Sequence, residues 1–71
     1  MEKKELVFVT FLLWELSEAW GMSPSRVYQK LTEACALDDY ILRCYDVLHT
    51  QGSAYLVEDI TEYVRERGVE I

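Results

Sequence analysis

Asp46 and His49 stand three residues apart, a spacing that places two side chains on one face of a helix. A carboxylate beside an imidazole can orient a general base. With Glu58 and Asp59 a few residues further on, the same groups suggest an oxygen-rich metal site. Neither set is complete. Thr50 and Ser53 have no spacing that marks them as nucleophiles, and one His among dispersed carboxylates is a poor zinc set. Cys35 and Cys44 form no Cys-x-x-Cys pair that would complete it. Plainer roles fit better. His49 falls near a helix C-terminus, where its ring can bond exposed carbonyls, Asp46 can hold that ring, and Asp59 can cap the last helix. No catalytic residue, metal ligand or cofactor is expected, and Tyr45, Asp46, His49, Tyr55, Glu58 and Asp59 stand as candidate binding residues.

The aromatic side chains offer a second chemistry. Trp14, Trp20, Tyr28, Tyr40, Tyr45, Tyr55 and Tyr63 are expected at the core and its edge. Tyr and Trp are also enriched at binding hot spots, so any that reach the surface mark an interface. Both cysteines sit among apolar residues and are expected as reduced core side chains of a cytoplasmic protein, not as a disulfide.

Gly21, Pro24, Gly52 and Gly68 divide the chain into helix-sized pieces. From about Glu2 to Trp20 no breaker occurs, and Leu6, Val9, Leu13, Leu16 and Trp20 recur at helical spacing. Phe8, Phe11, Leu12 and Trp14 add apolar surface outside that stripe. A helix apolar on most sides must be central or must face a second chain. The start Met1–Glu5 followed by Leu6–Trp14 superficially resembles a signal peptide. Thr10 interrupts the run, Glu15 and Glu18 follow it, and no small-residue cleavage site is present. The run is also far short of the ~20 residues that span a bilayer, so it reads as a buried helix.

Gly21 suits a left-handed helix end. Ser23 and Pro24 start a second helix, with Val27, Leu31 and Ala34 on one face. Asp38 and Asp39 start a third that ends near His49, with Ile41, Cys44, Tyr45 and Leu48 inward. The last piece has two readings. Either Ser53 caps a helix running to Arg67, or Tyr55–Val57 is extended and Asp59 opens the helix through an Asp-x-x-Glu capping box with Glu62. Gly68 ends it in both. Glu62–Arg67 reads as a solvated helix face. The expected fold is all-α, a small three- to four-helix bundle packed on a hydrophobic N-terminal helix, with residues 1–71 as one domain.

The run Tyr45-Asp46-Val47-Leu48-His49-Thr50-Gln51-Gly52, followed by Tyr55-Leu56-Val57-Glu58-Asp59-Ile60, resembles a family of short bacterial proteins known only as a domain of unknown function. The likeness is densest from Tyr40 to Val64 and weaker over the first helix and Met22-Ser23. It implies a small bacterial helical protein with no assigned activity. It also implies a gene neighbour resembling an ADP-ribosyltransferase-like toxin, and hence a partner or antitoxin-like role.

Composition narrows the function classes. A chain of 71 residues buries only roughly 60% of the surface it exposes when unfolded. With 51% hydrophobic residues it carries more apolar material than one short chain readily hides. A net charge of −6 repels phosphate backbones and anionic membranes and permits a basic protein partner. Ser23–Leu48 resembles a helix-turn-helix, but its second helix would present Asp38, Asp39 and Asp46 with only Arg43 to favour DNA. The expectation is a protein–protein interaction module, self-associating or paired with another protein, with neither nucleic acid nor membrane as partner, and not a stand-alone enzyme. The alternatives are a small enzyme-like or metal site at Asp46, His49, Glu58 and Asp59, and a degenerate helix-turn-helix regulator.

Overall fold

Glu2 opens the first helix: its backbone N–H donates to Glu5 Oε1 at 2.9 Å, satisfying a donor just ahead of the first turn. In the computed structural model, which describes residues 1–71, α1 then runs Lys3–Trp20 without interruption. Gly21 ends it in the left-handed conformation (φ 66°), its N–H returning to the Ser17 carbonyl at 3.0 Å. The chain reverses and α2 spans Pro24–Glu33, with the Ser23 hydroxyl accepting from the Arg26 N–H and Pro24 at the first helical position.

The expected third helix is broken into two pieces. Cys35 takes a left-handed conformation (φ 55°) unusual for a residue with a Cβ, and this resets the chain direction after α2. A π-helical segment, Leu37–Leu42, follows, and then a single turn, α3, Tyr45–Leu48. No Gly or Pro lies between Cys35 and Leu48, so local chemistry does not force the break. The wider π turn sends Leu37 and Ile41 into the core and leaves Tyr40 at its edge. Cys35 itself is exposed and Cys44 half-buried, both as free thiols, so the expectation of two core cysteines is corrected. The last helix, α4, begins at Ser53 and runs to Glu66. Of the two sequence readings the longer holds, with Gly52 at the cap position and Ser53 already helical. The fold is all-α.

The helices converge on one cluster of fourteen buried side chains, every one of them hydrophobic. α1 supplies Phe8, Val9, Leu12 and Leu16; α2 supplies Val27 and Leu31; α4 supplies Leu56, Ile60 and Val64. α1 packs on both α2 and α4, which makes it the central rod. Its inward stripe is rotated from the expected one. Phe8 and Leu12 are buried, Leu13 and Trp20 half-buried, and Leu6 is 56% exposed. Apolar residues occupy nearly every angle around α1, so periodicity alone cannot choose which side turns inward. Contacts choose it, such as the edge-on packing of Phe8 against Tyr45 at 5.4 Å between ring centres. No helix is long and apolar enough to cross a membrane.

Candidate functional site

The residues singled out for chemistry fall into separate environments. His49 closes α3. Its ring lies flat on the Tyr45 ring, 4.5 Å between centres and 1° between planes, and its Nδ1 stands 2.7 Å from the Tyr45 carbonyl oxygen. A carbonyl only accepts, so this bond requires the proton on Nδ1 and leaves Nε2 toward solvent. Asp46, expected to hold the ring, makes no bond to it. The Tyr45 carbonyl and ring take that part, and Asp46 stays exposed in the first turn of α3.

Asp59 is not a helix cap. It lies within α4 because the helix begins six residues earlier than the capping-box reading required, and its carboxylate accepts a hydrogen bond from the Tyr40 hydroxyl. Tyr63, one turn on, stacks on Tyr40 at 4.4 Å and 5°. The Tyr63 hydroxyl in turn accepts from Arg67 Nη2 at 2.6 Å, with the guanidinium 5.0 Å from the ring centre. Burial, then the Asp59 acceptor and its charge, hold the Tyr40 phenol well above its usual range. The bond and charge of Tyr63 likewise raise Arg67. Tyr55 lies exposed one turn before Asp59. Glu58 turns elsewhere, into a shallow open groove between α1 and α4 shared with Trp20, Thr61 and Arg65. Beside that groove the Trp20 indole N–H donates to the Thr61 hydroxyl at 2.8 Å.

Tyr45 and His49 therefore come together, and Asp59 joins Tyr40. Asp46 and Glu58 stand apart from both pairs, whereas Tyr55, one turn before Asp59, lies near enough to Tyr40 to act on its phenol. Tyr40, Tyr63 and Thr61 were not expected as polar partners. The only sequence signal was the four-residue spacing of Asp59 and Tyr63, which puts both on one side of α4. No group of three His, Cys, Asp or Glu side chains is placed to hold a metal ion. The Tyr45–His49 pair closes the single turn of α3, and the Tyr40–Asp59 bond joins the π-helical segment to α4.

A run of exposed apolar side chains lies on the far side of α1. Val7, Phe11 and Trp14 follow one another at four and three residues, forming a stripe opposite Val9, Leu12 and Leu16. They are 61%, 40% and 64% exposed, and Leu6 beside them is 56% exposed. Phe11 and Trp14 were recognisable as apolar residues off the expected core stripe. Leu6, which the periodicity places inward, instead faces outward with Val7. Lys3 and Lys4 lie at the start of this helix and Glu15 and Glu18 near its end.

Compared with known proteins, residues 7–67 match a family described as "Protein of unknown function (DUF3791)". The matched span takes in most of α1 and the whole of Tyr40–Val64. No curated protein and no solved structure matches the chain.

Proposed function

We propose that this chain, which belongs to the family of proteins of unknown function DUF3791, is a protein-docking module whose docking element is the outer face of α1. The observation that carries this reading is the stripe Val7, Phe11 and Trp14, flanked by Leu6, standing in solvent on a helix whose opposite side is the core. A small soluble-type fold gains nothing by holding four large apolar groups together in water; covering them is favourable. Their burial from this part-exposed state contributes on the order of 5 kcal/mol. A partner buries a like area of its own, and the two together exceed the low end of the cost of association, so the face supports a reversible complex. The family resemblance separately implies a neighbouring small toxin-like protein, toward which this chain would play an antitoxin-like part.

The Trp14 indole reports on the face directly. Acrylamide quenching in a Trp20→Phe background should show Trp14 open in the free chain and shielded in the complex. Trp14→Glu should abolish that complex while leaving the helical circular dichroism intact, because the residue contributes nothing to the core. The reading fails if Trp14 stays fully quenchable in every assembly the chain forms, or if Trp14→Glu retains every partner of the wild type.

A further inference from the structure

We infer, resting on the docking role just proposed, that the partner seated on the outer face of α1 is a second copy of this chain, laid antiparallel across it about a twofold axis near Thr10 and Phe11. Lys3, Val7, Thr10 and Trp14 recur at four-, three- and four-residue intervals, the seam spacing by which two helices pack along their length. Leu6 and Phe11 flank the seam. Thr10 does not spoil it: its hydroxyl already donates to the Leu6 carbonyl at 2.8 Å, so its methyl is what it offers a neighbour.

Charge selects the direction. In an antiparallel pair Lys3 meets the second copy's Glu18, Val7 meets its Trp14, and Thr10 meets its Phe11. Every contact then occurs twice, as a twofold interface requires. A parallel pair would set Lys3 on Lys3 and Glu18 on Glu18, with the helix dipoles aligned. Within one chain these charges sit the wrong way round. A cation at the first helical position and an anion near the last turn both oppose the dipole of α1. An antiparallel neighbour reverses both disadvantages by bringing its own C-terminal end beside Lys3 and its N-terminal end beside Glu18. Glu18, with Glu15, also borders the first turn of α4, but Lys3 has no such compensation. The only ion pair in the chain is Lys4 with Glu2, at 3.7 Å. The face is one helix, about 27 Å long at 1.5 Å per residue over its eighteen residues. That is a small interface, so the dimer is reversible and its population depends on concentration.

Sedimentation equilibrium on the full chain, from about 1 μM to about 1 mM and at low salt, tests this with four variants. Lys3→Glu and Glu18→Lys should each weaken the dimer roughly tenfold, since each makes two symmetry-related contacts repulsive. The double variant Lys3→Glu/Glu18→Lys should return to within about twofold of wild type. Both single changes place the charge that the α1 dipole prefers, so neither weakens the dimer by unfolding the helix. Trp14→Glu should be monomeric throughout. A wild type that stays monomeric at the highest concentration overturns self-docking. If it nevertheless binds another protein in a Trp14-dependent way, the docking role survives. A dimer that is lost in Trp14→Glu, but whose weakening in the single charge variants is not reversed in the double variant, overturns the antiparallel register. A dimer indifferent to Trp14→Glu removes both the inference and the reading beneath it.

Discussion

The Tyr40 hydroxyl holds the π-helical segment to α4 through Asp59, and its proton is bound more tightly in the folded chain than in the unfolded one. The sign of the pH dependence follows. An unfolded tyrosine releases its proton near pH ~10. Below that value both states keep the proton and the bond contributes fully. Above it the unfolded state binds fewer protons than the folded state, so stability falls as pH rises. Tyr40→Phe should cost about 1–2 kcal/mol at neutral pH, because it leaves the half-buried Asp59 carboxylate without its donor. It should also flatten the alkaline decline. Urea unfolding of both proteins at neutral pH and at several values above about pH 10 checks the two effects together. An alkaline limb unchanged in Tyr40→Phe would assign that decline to another group. At this scale the sequence was only partly legible. Asp59 and His49 stand out by type, but which neighbour each one bonds depends on where α4 begins and how the chain turns after Cys35.

The helix boundaries show which signals are local. Gly21, Ser23 and Pro24 mark the α1–α2 junction by their own chemistry, and the junction falls where they put it. Cys35 carries no such mark. Its left-handed backbone is imposed by the packing of Ala34, Ala36 and Leu37 into the core on either side of it. The π-helical segment is equally silent, since no residue type encodes a widened turn. A left-handed conformation costs a residue with a Cβ roughly 1–2 kcal/mol, which glycine avoids. Cys35→Gly should therefore stabilise the fold by about 0.5–1 kcal/mol after the added freedom of the unfolded chain is counted. That is a rise of a few degrees in Tm for a chain of this size. Thermal unfolding under reducing conditions reads it, and a lower Tm would show that the Cys35 side chain makes a contribution its exposure does not suggest. The start of α4 was legible only as a choice between Ser53 and Asp59. The longer helix prevails because Leu56, at an i, i+4, i+8 spacing with Ile60 and Val64, is needed in the core and is lost to it if the segment is extended.

For the molecule as a whole, composition is the better guide. Excess apolar content on α1 points to a rod with two sides to cover, and the fold covers one of them. Which side is inward was beyond the sequence, because almost every angle of α1 is apolar and the decision is made by the elements packed on it, α2, α3 and α4. The interior those helices enclose holds no polar side chain at all. Oily groups fit together in many nearly equivalent ways, so such a centre confers cohesion more readily than it dictates one arrangement. What singles out the native arrangement must then sit at the rim, in the Trp20–Thr61 and Tyr40–Asp59 bonds that peg α1 and the π-helical segment to fixed points on α4. With both pegs withdrawn, as in Trp20→Phe/Tyr40→Phe, the chain should keep its helical far-ultraviolet spectrum while its methyl resonances broaden and it begins to bind a hydrophobic dye. A double variant with resonances as sharp as the parent's would mean that shape alone, without any peg, decides how these helices lie.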